Sequence, residues 1–302
     1  MNMIKLAAVT AVLGYSLGQA FATPIPLNHP QGLATDSKGI LYVANPGTGA
    51  HPKGYRGNTG GQVLAYNTNF TQMPTKTLSG PHVNFPISLA VNSTDQLYVL
   101  NAGDWSVRAY SAGVEDTTKG WSFDIDSNPL QTYVVYSPVS ISIDGMDNLW
   151  VSNGWYLLNS FVSVMSPSKA LIYSQQFPGE QVASIATSPR GSAFLESSVG
   201  VGTRQYSPIG DLLAGRGAYK NKTWEATAIT IDKTGKAYVC ATSGAVLVRD
   251  VNTGSSAVFA SLGYAPSGVA VDNVHNRVYF ANEGLNQIDV YSTQGAYINT
   301  IH

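Results

Sequence analysis

The chain has 302 residues, with 17 lysines and arginines against 18 aspartates and glutamates, a formal charge of −1. So sparse and balanced a charge offers no basic face to a nucleic acid. Its one cysteine, Cys240, excludes an intramolecular disulfide framework and reads as a buried structural thiol.

Residues 1–22 read as a secretory leader. Lys5 is followed by an apolar stretch from Leu6 through Leu17, and Ala20-Phe21-Ala22 offers small residues for cleavage. The apolar run is broken by Gly14 and Ser16 and is too short to span a bilayer comfortably. The expectation is an exported protein, extracellular or periplasmic, whose single domain is 23–302, with no membrane insertion.

The stretch Pro30 to Asn45, PQGLATDSKGILYVAN, then sets a pattern that returns from Pro86, Pro138, Val182, Ala226 and Pro266. A small residue (Gly32, Ser88, Ser140, Ser184, Ala228, Gly268) precedes a large aliphatic one (Leu33, Leu89, Ile141, Ile185, Ile229, Val269). Another small residue and a β-branched one follow, as a strand with two differently packed faces requires. The strand stops at Asp36, Asn92, Asp144, Ser188, Asp232 or Asp272, whose oxygens can accept turn N–H groups two residues on. A second strand carries an aromatic, Tyr42, Tyr98, Trp150, Phe194, Tyr238 or Tyr279, so each unit opens as a hairpin. Third strands recur downstream, as in QVLAYN at Gln62 and SVRAYS at Ser106, and a fourth fits each remaining gap.

The turn residues are spaced 56, 52, 44, 44 and 40 residues apart, close to the blade period of about 40–50. The predicted fold is all-β, a six-bladed β-propeller of four-stranded antiparallel blades. One blade cannot bury both faces; a ring lets each cover the next. Between these units, Pro46 to Gly61 reads as a loop, and Gly113 to Tyr136 as an insertion. In that insertion Asp124, Asp126 and Asn128 resemble the start of a calcium loop, but Pro129 and Val135 stand where glycine and glutamate are needed, so a solvated turn is expected. Ala296 to Ile301 can supply the last strand, with Thr23 to Leu27 free to cover the seam.

The P-x-G-hydrophobic-A-hydrophobic-D…LYVAN unit resembles the NHL repeat and the wider superfamily of six-bladed propellers. That superfamily holds gluconolactonase-type lactonases, strictosidine-synthase-like proteins and the seven-bladed streptogramin-lyase-like proteins. The resemblance runs over nearly all of 23–302 and implies a ligand site over the central channel. It also implies, for the lactonases, a divalent metal held by Glu, Asn and Asp near the starts of inner strands. Here those positions read Gln31, Ile87, Val139, Ala183, Thr227 and Ser267, with no carboxylate.

In a four-stranded meander the loops between strands two and three and the connections between blades emerge on one face. Candidates for contact there are Tyr55, Arg56, Asp104, Trp105, Trp155, Tyr156, Trp224 and Glu283. Aromatics with a few polar groups can stack on a flat ligand. The first expectation is therefore a recognition module for a small molecule, glycan or protein, without cofactor or metal. The alternative is a hydrolase or lyase using His29, His51 and His82, with Glu283 across the channel.

Overall fold

The computed structural model describes residues 23–48, 60–122, 138–153, 159–178, 182–188, 193–197, 204–206, 212–215 and 226–302. Among these every regular element is a strand except the short 3-10 turn Pro74–Lys76. Among the described residues no helix is long and apolar enough to cross a membrane.

The strands form antiparallel meanders, each pairing with its neighbour in sequence. The innermost strands are Leu33–Thr35, Pro86–Val91, Pro138–Ile143, Val182–Thr187, Ala226–Ile231 and Gly268–Asp272. Each touches the next, and the last touches the first, which closes the ring. The result is a β-propeller of four-stranded antiparallel blades around a channel.

The expectation of a six-bladed propeller needs correction: the described residues form five four-stranded blades, not six. Five sheets reach four strands or more, and the first has three: Leu33–Thr35, Leu41–Asn45 and Gln62–Tyr66. Where its fourth strand would run, two isolated bridges, Val63 to Leu78 and Tyr66 to Gln72, attach the chain to the sheet. Pro74 explains the break: it has no N–H for a ladder and starts the turn through Lys76. The second sheet departs the other way. Its outer edge is two short pieces, Val114–Glu115 and Trp121–Ser122, both paired with Ser106–Ser111.

The hairpin columns behave as the repeat requires. Asp36 Oδ1 accepts the N–H groups of Lys38 (3.0 Å) and Ile40 (2.9 Å). Asn92, Asp144 and Asp232 do the same for residues two and four positions on. The last hairpin is one residue longer, and Asp272 there accepts from Val274 and His275. The aromatic column returns to the same carboxylates, with Trp150 Nε1 donating to Asp144 Oδ2 at 3.0 Å and the Tyr42 hydroxyl to Asp36 Oδ2 at 3.3 Å. Burial, and then the Asp36 charge, raise the Tyr42 pKa and hold it as a neutral donor.

The core is divided among the seams. Tyr42, Val63 and Leu78 meet Leu89, Val99 and Tyr110 between the first and second sheets. Leu41 and Val43 meet Tyr279, Ile288 and Ile301 between the first and last. Each remaining seam has its own apolar cluster. A side chain of this size contributes about 1.5–3 kcal/mol when fully buried. Tyr297–Ile301 completes the last sheet, and Leu27 packs into the closing seam without adding a strand. Cys240 is fully buried.

The small column closes the seams in two ways. The Ser88, Ser140 and Ser184 hydroxyls accept the N–H groups of Ile141, Ile185 and Ile229 from the next sheet, at 3.1, 3.3 and 3.3 Å. Gly32 and Gly268 instead let backbones meet. Gly32 N donates directly to Ile87 O at 3.1 Å. A Cβ on Gly268 would lie 2.0 Å from Gln31 O.

Candidate functional site

The channel is lined by the inner strands and has room for water over about 230 Å³. Its walls carry aliphatic, Gly, Ser, Thr and Asn residues and, among the described residues, no ionisable side chain. The ionisable side chains lie instead on the connections and strands away from this wall.

Those connections are pinned by a second repeated feature. Asn45 and Asn101 end the second strands of the first two sheets and are buried. Asn45 accepts from Asn28 N and donates to Pro26 O. Asn101 accepts from Asn84 N (3.0 Å) and donates to His82 O (3.0 Å). Each asparagine thus ties down the connection entering its own sheet. His29 and Phe85 occupy matching places in these connections, with φ of 56° and 53°.

His82 is held at its backbone by this clamp, and the Tyr110 hydroxyl donates to the same carbonyl at 3.1 Å. Burial first, and the Glu115 charge second, push the Tyr110 pKa up to about 12, so it stays a donor. The His82 ring turns Nδ1 to Glu115 Oε2, while the His82 side chain remains 54% exposed and that of Glu115 only 16%. Arg108 lies 3.6 Å from Glu115 and 3.8 Å from Asp104. Asp104 in turn accepts from Ser106 N and Oγ. Of the candidates read from sequence, His82 and Asp104 thus enter one network, through two residues that reading missed.

A second group lies at the seam between the last and first sheets. Gln31 Nε2 donates to Glu283 Oε1 at 3.4 Å. His29 N donates to Asn286 Oδ1 at 2.7 Å, while the His29 ring pairs with Asn28. His29 and Glu283 therefore share a seam that His82 does not. Trp105 has φ 53° and is buried, with 6% exposed, so it presents no open face. Tyr55, Arg56, His51, Trp155, Tyr156 and Trp224 lie outside the described residues, as do 1–22 and the Asp124–Asn128 string.

The metal site implied by the lactonase resemblance does not fit these residues. The inner-strand starts offer no carboxylate, and Gln31 directs its amide nitrogen, not its oxygen, toward Glu283. Among the described residues no three of His, Cys, Asp and Glu gather at metal-binding range.

No family model matches the chain, so the likeness to the NHL repeat rests on the motif alone. No curated protein matches it either. Solved structures do. Virginiamycin B lyase from Staphylococcus aureus superposes with a TM-score of 0.58 at 11% identity, over 91% of this chain and 86% of its own. A streptogramin B lyase gives 0.60 at 12%, over 92% and 84%. A gluconolactonase from Xanthomonas campestris gives 0.62 at 13%, over 85% and 84%. The shared fold is the β-propeller. At such identities the likeness extends to this propeller's architecture and not to its chemistry.

Sequence reading missed Arg108 and Glu115 because they lie on the third and fourth strands, outside the repeat. One signal was present: Arg108 is a charged residue inside the otherwise apolar or small run SVRAYS, at a partly buried position.

Proposed function

We propose that this chain is a propeller enzyme of the lyase or lactone-hydrolase kind, with His82 as its general base. The observation that carries the reading is the His82–Glu115 pair. A carboxylate on Nδ1 fixes the ring and its tautomer, and leaves Nε2, which has no partner among the described residues, to take a proton. Glu115 would stabilise the imidazolium that forms. Arg108, shared between Glu115 and Asp104, keeps that carboxylate in place. Proton removal is the step that lyase and lactonase chemistry share, from carbon in one case and from water in the other. The structural neighbours, two lyases and a lactonase, support this reading. A recognition module, the first expectation, has less behind it: Trp105 is buried and the other rings lie outside the described residues. We propose also that the protein is exported, on the strength of the leader-like residues 1–22.

The test is turnover of gluconolactone and virginiamycin B by wild type, His82→Gln and Glu115→Gln. A general base contributes about 10²–10⁴-fold, so His82→Gln should lose at least about 100-fold in kcat. Glu115→Gln should lose less. Equal rates in wild type and His82→Gln, or no turnover of either substrate, would overturn the proposal.

A further inference from the structure

We infer that Gln31 and Glu283, at the channel mouth between the last and first sheets, bind an ammonium group of a ligand. The backbone makes this place unusually fixed. Gly268 admits Gln31 O to where a side chain would stand, and Ser267 Oγ donates to Pro30 O at 2.7 Å. Gln31 N is tied to Ala44 O at 2.9 Å. The Gln31 side chain therefore emerges from a backbone held on both sides.

Gln31 is only 5% exposed, and its Oε1 is buried with no hydrogen-bond partner among the described residues. A buried amide oxygen left unpaired has given up its hydrogen bonds to water without replacement, so its position asks for a donor. Its Nε2 is already directed at Glu283, which keeps the oxygen as the free end. Glu283 is half-buried, and among the described residues no lysine, arginine or histidine pairs with it. One carboxylate and one amide oxygen, both acceptors, in a partly desolvated place, match a group with several N–H donors and a positive charge. A hydroxyl brings one donor and no charge. Ser267 and Gly32, neighbours of the pair along the chain and across the seam, line the channel.

The test is an NMR titration of the full chain with propylammonium chloride, and with 1-propanol as the neutral counterpart. Saturable binding of propylammonium is expected, with none comparable for propanol. Glu283→Gln should weaken binding about tenfold or more, the scale of one charge-assisted hydrogen bond. Gln31→Leu should weaken it less, and added salt should weaken it in wild type. The amide spectrum of each variant reports its folding. Absence of saturable binding, equal binding of propanol, or unchanged affinity in Glu283→Gln would each overturn the inference. His82 takes no part in this titration, so its result leaves the general-base proposal to its own test.

Discussion

Two kinds of seam account for five of the six in the ring; the one between the fifth and last sheets carries Ala228 in the small column and belongs to neither. From the second sheet to the fifth, a serine in the small column reaches across to the next strand's N–H. On either side of the first sheet that column holds glycine, and the backbones meet directly. A serine carries its own acceptor and spaces the strands apart; a glycine removes the spacer. The two polar groups described flank the first sheet: Gln31 with Glu283 next to the last sheet, and His82 with Glu115 at the outer edge of the second. The first sheet is also the one lacking a full fourth strand. The ring is tightest at its inner edge where its outer edge is least complete.

Substitution on the tight side breaks this contrast most sharply. In Gly268→Ala the new Cβ would start 2.0 Å from Gln31 O and 3.0 Å from Gln31 C, both backbone atoms that no rotamer change can move. The seam must open, and overpacking of this kind costs about 3 kcal/mol. Denaturant midpoints should show that loss with an unchanged slope. Because Gln31 moves with the seam, propylammonium binding should fall as well. A Gly268→Ala protein as stable as wild type would mean that the seam is loose and that glycine has no special part in it.

On the serine side the effect is smaller. Ser140→Ala leaves Ile185 N without its acceptor at a buried position. The expected cost is about 1–2 kcal/mol, read from the same midpoints. No backbone shift should follow, since alanine fits wherever serine does. If Ser140→Ala proved costlier than Gly268→Ala, the ranking of the two seams would be reversed.

Much of this architecture was legible in the chain because a propeller repeats its local physics. The turn carboxylates, the aromatic second strands and the small column each recur at fixed offsets, and each does in the structure what its chemistry suggests. The asparagine that ends LYVAN, LYVLN and RVYFAN was equally visible, but only the fold shows that Asn45 and Asn101 clamp the incoming connections. It shows too that Asn282 does not act alike: it accepts from Leu285 N within its own loop, and its Nδ2 is unpartnered. What the repeat could not reveal lies off the columns. Pro74 keeps a fourth strand from forming in the first sheet, and Glu115 reaches His82 from a two-residue strand outside the repeat. Such contacts join variable segments, and period alone carries no information about them.

The hairpin face offers the mildest probe of how the first sheet is held. There the turns of the first two sheets are joined by Asp95, whose Oδ1 and Oδ2 accept Ser37 N at 2.8 Å and Ser37 Oγ at 2.7 Å. Burial alone would raise the Asp95 pKa, but the two Ser37 bonds and the charges of Lys38 and Lys76 outweigh it and lower it. A depressed folded pKa means that the contribution to stability is complete above the ordinary carboxylate value, about 3.9. It is lost as pH falls through the folded value. Asp95 is only partly buried, so solvent screens the contribution to about 1 kcal/mol or less. Asp95→Asn is the cleanest comparison, because asparagine also tolerates the φ of 61° found there. Wild type should be the more stable at pH 7, and the gap should close as the medium is acidified past the carboxylate range. A gap of the same size at pH 7 and at pH 3 would assign the staple to shape rather than charge, and the first two turns would then be joined by hydrogen bonding that acid does not reach.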